Sequence, residues 1–224
     1  MHYSAGITLF GVPRLEFAPE RVRGDGDLVD PGIVAMNRVI VALVLTLILP
    51  MECTLAQTGE AELWREIKSG GHVVLMRHAI APGNGDPEGF TLGDCSTQRN
   101  LSISGVQQAE KAGNLFRKNG IRSLPVYSSE WCRCLDTATA MSLGDVQPLD
   151  SLNSFYQQPQ YRQQRTEDLK TWLLRQDSAE SMLLVTHQVN ITALTGVFLS
   201  SGEMVVVKLD QNGLLTVVGS VLEQ

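Results

Sequence analysis

The chain has 224 residues, of which 43% are hydrophobic, and a formal net charge of -6. This composition is typical of one folded domain with additional terminal sequence, and it excludes a chain that is disordered throughout. The acidic balance argues against a nucleic-acid-binding protein, which would usually carry a basic face, but a few arginines can still form a positive pocket for an anionic substrate.

One apolar run lies in the first quarter of the chain, at residues 39–49. Its 11 residues are too few to span a bilayer comfortably. The run follows Arg38 and precedes small residues that would suit cleavage after Ala56. A basic start, a short apolar core and a small-residue cleavage site are typical of a secretory signal peptide, which we predict at 36–56. A buried core helix or an uncleaved anchor is the alternative.

The signal peptide divides the chain into three parts and predicts a periplasmic or secreted protein. Residues 1–35 contain glycine, proline and charge without sustained periodicity. We predict that they are a misassigned leader before a true start at Met36, or a disordered segment. Residues 57–224 would then form the mature domain, and membrane contact would occur only through the signal peptide before cleavage.

Strand-like and helix-like stretches alternate from about residue 60 onward. Apolar runs, helical spacing and turn residues predict the elements in chain order. The first half has a strand at 72–76, a long loop at 79–100, a helix that begins at Ser102 or Ser104 and ends at about 119, a strand at 124–127 and a helix at 130–141. The second half has a short strand at 146–149, an irregular glutamine-rich segment at 150–164, a helix at 166–175, a strand at 182–185, a helix at 189–199 and strands at 204–209 and 214–221. This alternation predicts an α/β fold, a three-layer α/β/α sandwich around a mostly parallel central sheet. Asn212-Gly213 is a turn typical of a hairpin, so the last two strands are predicted to form a C-terminal hairpin.

Basic and imidazole side chains directly follow three of the predicted strands. Arg77 and His78 follow the first strand, Arg133 comes shortly after the second, and His187 follows the strand at 182–185. Ligands of parallel α/β sheets bind outside the carboxyl ends of the strands. We therefore expect these four side chains to converge on one site.

Two histidines and two arginines at one site are suited to phosphoryl transfer. A neutral imidazole is a competent nucleophile near neutral pH, and guanidinium forks match phosphate oxygens. We predict that His78 is the nucleophile, that Arg77 and Arg133 bind phosphate, and that a protonated His187 adds positive charge where the transferring group becomes negative. This chemistry needs no metal and no cofactor. Each residue taken alone is more often structural, and only their joint pattern favours function.

Four segments, in order along the chain, resemble motifs of the histidine phosphatase superfamily. Residues 75–79 resemble its Arg-His-Gly signature, 101–109 its Leu-Thr-x-x-Gly-x-x-Gln-Ala helix entry, 128–138 its Ser-Ser-x-x-x-Arg-x-x-x-Thr-Ala segment, and 185–187 its second-histidine strand. Ala79 and Gln188 stand where the family usually has glycine. The resemblance covers about residues 70 to 210.

The resemblance implies a phosphoglycerate mutase-like fold and membership of a branch of small bacterial exported phosphatases. His78 would attack phosphorus to form phosphohistidine, which water would then hydrolyse. Asn84 lies six residues after His78, where related enzymes often have an asparagine that contacts phosphate, although it could equally be a turn residue. Arg99 could reach the pocket from the long loop or form an ion pair within it.

The general acid is the point at which the chain departs from the family pattern. Protonation of a leaving group usually requires a carboxylic acid near the nucleophile. Many relatives have a glutamate shortly after the segment that contains Arg133, but residues 152–155 contain no acid. We predict Glu203 as the substitute and Asp94 as the second choice. With neither in the pocket, the site would favour good leaving groups such as phosphohistidine or acyl phosphates.

Three cysteines remain after signal-peptide cleavage. Relatives often have alanine or cysteine at the position of Cys134, which implies a packing role for it. We predict that Cys95, in the loop expected to cover the pocket, forms a disulfide with Cys132. Three reduced, partly buried cysteines are the alternative.

The leading prediction is an exported phosphomonoester hydrolase acting on a small-molecule or envelope-associated phosphate ester, with no nucleic-acid partner. A phosphohistidine or protein phosphatase is the first alternative. A phosphate-binding pseudoenzyme is the second, favoured by Ala79, Gln188 and the missing acid.

Overall fold

The computed structural model describes residues 59–177, 179–210 and 212–221. The predicted leader and signal peptide lie outside these residues, as does Gln211 beside the predicted Asn-Gly turn. The helices are α1 (Glu60–Ser69), α2 (Ile103–Lys118), α3 (Cys132–Met141), α4 (Arg162–Leu173) and α5 (Gln188–Thr195), and the strands are β1 (Val73–Arg77), β2 (Val126–Ser128), β3 (Val146–Pro148), β4 (Met182–Thr186), β5 (Met204–Leu209) and β6 (Leu215–Val221). None of the helices in the described part of the chain is both long and apolar enough to cross a membrane.

The described strands form one six-stranded sheet in the order β3-β2-β4-β1-β5-β6. Strands β3, β2, β4 and β1 are parallel to one another. Strand β5 runs antiparallel to β1 and pairs antiparallel with β6. The predicted mostly parallel sheet with a C-terminal hairpin is therefore confirmed.

Alternate residues of the strands pack into two separate cores, one on each face of the sheet. Val74 and Met76 of β1 point into a core shared with helices α1, α2 and α3. Val73 and Leu75 point into a second core shared with α4 and α5. A strand covered on both faces is apolar throughout, which explains why Val73 to Met76 are all apolar and buried before β1 ends at Arg77. The result is the predicted three-layer sandwich.

Some element boundaries differ from the predicted ones for local reasons. Helix α5 ends at Thr195 rather than near residue 199, because Gly196 adopts a left-handed conformation with φ of 75° and its N–H donates to the carbonyl of Thr192. Helix α4 begins at Arg162, inside a segment predicted to be irregular. Helix α1 was not among the predicted elements, although Leu63, Trp64 and Ile67 form its buried stripe.

The contact between α2 and the end of α3 leaves no room for a side chain at position 113. A Cβ atom on Gly113 would lie 2.0 Å from the backbone oxygen of Met141. We expect Gly113→Ala to lower the free energy of unfolding by about 2–4 kcal/mol, because the clash outweighs alanine's helix-propensity gain of about 1 kcal/mol. Denaturant titration would measure this. The exposed Lys111→Ala variant of the same helix should change stability by less than about 0.5 kcal/mol, and an equally small loss in Gly113→Ala would contradict the prediction.

Candidate active site

The carboxyl ends of the parallel strands bring the four predicted side chains to one cavity of about 510 Å³. Arg77 ends β1, His78 follows it, His187 follows β4, and Arg133 lies in the first turn of α3, just after β2. The ring centroids of His78 and His187 lie 5.5 Å apart. Asn84 also lines the cavity, and its contact with phosphate stays a prediction.

His78 is buried and held in one orientation by its own backbone neighbour. Its Nδ1 lies 2.8 Å from the carbonyl oxygen of Ala79, which can only accept, so Nδ1 carries the proton. The Nε2 atom then keeps its lone pair. Burial, together with the positive charges of Arg133, Arg99 and Arg77, lowers the pKa of His78 to about 3. The imidazole is therefore neutral and uncharged at physiological pH, which is the form that a nucleophile needs.

His187 is also buried and is anchored through its Nε2 atom. This atom lies 2.9 Å from the hydroxyl of Ser129 and 3.5 Å from the sulfur of Cys134. The Ser129 hydroxyl donates to the side-chain oxygen of Asn153, so it accepts from His187. Burial, followed by the proximity of the His78 ring and the positive charge of Arg133, holds the pKa of His187 well below its usual value. The protonated His187 expected from the sequence is disfavoured for this reason.

Two of the arginines that line the cavity each carry a buried Nε–H group without a partner among the described residues. Arg77 donates through Nη1 to the carbonyl of Leu199 at 2.9 Å, and Arg133 donates through both terminal nitrogens to Asp86. The Nε atoms of both arginines are buried and lack a partner within the described part of the chain. A buried donor without an acceptor is costly, and a charged one more so. Both side chains therefore fit an anion that accepts from their Nε edges.

Asp86 is a site residue that no sequence pattern indicates. Its carboxylate accepts from Arg133, from Trp131 Nε1 at 3.0 Å and from the backbone N–H of Arg99 at 3.2 Å. Although burial raises the pKa of Asp86, hydrogen bonds and the charge of Arg133 outweigh it and lower the pKa below its usual value. The carboxylate is therefore ionised. In the sequence it is one acidic residue in a glycine-rich loop, and only the fold brings it to Arg133.

Solved structures of the same architecture are found by comparison. No family model matches the sequence, and no curated protein matches it. The protein histidine phosphatase SixA, solved with tungstate, is 17% identical over 67% of this chain and 96% of its own, with a TM-score of 0.51. A SixA protein from Agrobacterium tumefaciens is 21% identical over 68% of this chain and 98% of its own, with a TM-score of 0.50. YhfR of Bacillus stearothermophilus is 16% identical over 65% of this chain and 94% of its own, with a TM-score of 0.50.

The chain has the histidine phosphatase fold. The resemblance read from the four sequence motifs and the likeness in three dimensions agree on this fold. The part of the chain that matches corresponds to nearly the whole length of each of these structures.

A disulfide fastens the long loop of this histidine phosphatase fold next to the cavity. Cys95 and Cys132 are bonded, as predicted, with Cα atoms 5.7 Å apart. Arg99 also holds the loop, since its Nε donates to the carbonyl of Gly85 at 2.7 Å and its Nη1 contacts the carbonyl of Ala81. Arg99 lines the cavity as well, so both roles considered for it are compatible with its position.

The two carboxylic acids predicted from the sequence as general acids do not line the cavity. Glu203 lies beside the backbone of Arg77, because β5 pairs with β1, and its carboxylate accepts from the N–H of Ser200 at 2.7 Å. Asp94 caps the short turn after it and accepts from Ser96. Among the described residues, the carboxylates that line the cavity are Asp86 and Glu88.

A metal-binding cluster is not found in the described ranges of the chain. Within those ranges, no three neighbouring histidine, cysteine, aspartate or glutamate side chains are placed so that they could hold an ion. The cations that face the cavity are the guanidinium groups of Arg77, Arg99 and Arg133.

The pH dependence of His78 follows from its environment. A histidine in water takes up a proton as the pH falls through about 6.5, whereas burial and three arginines lower the pKa of His78 to about 3. Protonation of His78 is thus displaced to lower pH, and its nucleophilic form should persist well below pH 6.5. We expect its ring ¹³C chemical shift, assigned by difference from His78→Ala, to stay constant between about pH 7.5 and 5. A titration midpoint near 6.5 would contradict this.

Proposed function

We propose that the protein is an exported phosphomonoester hydrolase that works through a phosphohistidine formed on His78. The supporting observation is the cavity in which two histidines meet two arginines with unpaired, buried Nε atoms. A neutral imidazole supplies the nucleophile, and the guanidinium groups supply charge where the phosphoryl group carries it. The histidine phosphatase fold agrees with this chemistry.

In the first step, Nε2 of His78 attacks phosphorus, the P–N bond forms, and the bond from phosphorus to the ester oxygen breaks. Arg77 and Arg133 hold the non-bridging oxygens during the transfer. The leaving oxygen departs as an anion or takes a proton from water. In the second step, water attacks phosphorus, the P–N bond breaks, and inorganic phosphate leaves with His78 restored to its neutral form. His187, fixed by Ser129, lies against the same centre and can share a proton with the phosphate once negative charge is beside it.

The substrate class that we propose is a small or envelope-associated phosphate ester. Export is supported by the signal-peptide pattern at 36–56 and by the Cys95–Cys132 disulfide, since such bonds persist mainly in oxidising compartments. Beyond the arginines, the cavity is lined by aromatic and amide side chains such as Tyr156 and Gln157, which suit an organic group larger than phosphate alone.

A phosphohistidine or protein phosphatase is the second candidate. One observation favours it, namely that Glu203 and Asp94 both lie outside the cavity. Among the described residues, the carboxylates that do line it are Asp86, which is ionised and paired with Arg133, and Glu88. A site with so few available acids would act best on substrates whose leaving group needs no proton, and phosphohistidine is one of these.

Turnover of three substrates would test these functions on the purified protein. We expect phosphate release from an aryl phosphate, with an acid-labile, alkali-stable phosphoenzyme trapped by rapid quenching. Release only from acetyl phosphate and a phosphohistidine peptide would favour the second candidate. Inorganic phosphate binding without turnover of any substrate would overturn both and favour a phosphate-binding pseudoenzyme.

A further inference from the structure

The pairing of Asp86 with Arg133 uses one defined edge of the guanidinium group. Arg133 Nη1 donates to Asp86 Oδ1 at 2.7 Å, and Nη2 donates to Oδ2 at 3.1 Å. The contact is therefore end-on and bidentate, and both side chains are only 3% exposed. Such parallel hydrogen bonds between charged groups fix the plane of the guanidinium group as well as its position.

The remaining donors of Arg133 lie on its other edge. The second hydrogen of Nη1 is directed to the carbonyl of Arg99, at 3.3 Å. This leaves Nε, which is buried without a partner in the described residues, and the second hydrogen of Nη2. These two N–H groups are parallel and form the side-on fork of an arginine, the geometry that donates to two oxygens of one phosphate.

Asp86 is itself held by contacts independent of Arg133. Trp131 Nε1 donates to Oδ2, and the backbone N–H of Arg99 donates to Oδ1. Arg99 belongs to the loop fastened by Cys95, and Trp131 directly precedes the helix that carries Arg133. A carboxylate that merely occupied the phosphate position would need no such support and would take the side-on edge. Asp86 takes the opposite edge.

We propose that Asp86 is a positioning residue that fixes Arg133 so that its Nε–Nη2 edge binds the phosphoryl group of the substrate and the phosphate product. The role rests on the proposed function in that the phosphoryl group is the substrate's, but phosphate binding alone is enough to measure it. Asp86 thereby sets phosphate affinity and KM more than kcat.

The proposal can be tested by whether phosphate affinity rises or falls when an acidic residue of the cavity is removed. Asp86 and Glu88 are both acidic and both line the cavity, but Glu88 is exposed and makes no hydrogen bond or ion pair with any described residue. Removing a negative charge beside an anion should strengthen anion binding if charge alone matters. Glu88→Ala should thus leave phosphate affinity equal or raise it. Asp86→Ala should weaken it about tenfold to a hundredfold, because Arg133 loses its orientation.

The experiment is calorimetric titration of the full-length protein with inorganic phosphate, together with KM and kcat for an aryl phosphate. The variants are Asp86→Ala, Asp86→Asn, Glu88→Ala, Arg133→Ala and the double variant Asp86→Ala/Arg133→Ala. Asp86→Asn keeps one oxygen acceptor and should lie between wild type and Asp86→Ala. Thermal unfolding of each variant shows whether it is folded. Asp86→Ala should raise KM with little change in kcat, and it should add nothing to the loss already seen in Arg133→Ala.

Several results would overturn the proposal. Equal or tighter phosphate binding by Asp86→Ala would show that Asp86 competes with phosphate instead of supporting its ligand. If the losses of phosphate affinity in the two single variants added fully in the double variant, Asp86 would act independently of Arg133. A wild-type protein that binds no phosphate would refute the assigned role of the Arg133 edge. A wild type that binds phosphate but hydrolyses no ester would overturn the proposed function alone, because the comparison of affinities would still decide the role of Asp86.

Discussion

The His78→Ala variant should hydrolyse esters with a kcat at least about 1000-fold below that of the wild-type protein. The reason is chemical, because the variant has no imidazole at the position where the P–N bond forms. The rest of the cavity should remain, since Arg77 and Arg133 are held by Leu199 and Asp86 rather than by His78. Phosphate release at saturating aryl phosphate measures the loss, and titration with inorganic phosphate should show that binding is retained.

His72→Gln is the matched control for this prediction. His72 is as buried as His78 but lies just before the opposite end of β1, where its Nδ1 bonds to the carbonyl of Gly70. Its replacement should lower stability and leave kcat within about threefold, because His72 is remote from the reacting atoms. Comparable kcat losses in the two variants would indicate that His78 acts through folding and not as a nucleophile. A phosphoenzyme formed by His78→Ala would rule out the proposed nucleophile directly.

The layers of the fold could be predicted because the sequence pattern and the burial agree. A strand covered on both faces has no polar positions, and Val73 to Met76 and Met182 to Val185 are the uninterrupted runs that this requires. Helix boundaries were less predictable because single residues decide them. The stretch after Thr195 stays apolar, so spacing alone extends α5, but the left-handed Gly196 ends it.

The strand-end residues of the site could be predicted for a related reason. In a parallel sheet, the residue that follows a buried strand emerges at the ligand edge, and this rule finds His78 and His187 without knowledge of side-chain contacts. Asp86 could not be found in this way. It reaches Arg133 across 47 residues through a loop with no regular structure, and its position depends on Arg99, Trp131 and a disulfide together.

The direction of the Glu203 side chain could not be predicted from the position of this residue in the sequence. Glu203 was chosen for its position after the last helix, and antiparallel pairing of β5 does bring it beside the backbone of Arg77. Its carboxylate then turns to the N–H of Ser200 and not to the cavity. Backbone proximity followed from topology, whereas side-chain direction depended on a local hydrogen bond that no periodicity encodes.

Reduction of the Cys95–Cys132 disulfide should destabilise the protein and weaken phosphate binding together. The bond joins residues 37 apart in the chain. Without it the unfolded chain gains conformational entropy, which in the chain-entropy model lowers the free energy of unfolding by about 3–4 kcal/mol. The long loop that follows β1 and contains Cys95 also places Asn84, Asp86 and Arg99 in the cavity wall. Denaturant titration and KM for an aryl phosphate, each with and without a thiol reductant, would measure both effects.

Cys95→Ser separates the effect of the disulfide from other effects of the reductant. Cys95 is exposed, so serine there leaves the core unchanged. The variant should match the reduced wild type in stability and KM, and a reductant should not change it further. Burial raises the pKa of the Cys134 thiol to about 12, and an uncharged thiol does not attack disulfides. Cys134 should therefore not replace the lost partner. Labelling of both Cys95 and Cys132 by a thiol reagent would show that the wild type is fully reduced. If its KM then stayed unchanged, the loop would hold Asp86 against Arg133 without the covalent bond. The hydrogen bonds of Arg99 would in that case be sufficient to shape the cavity.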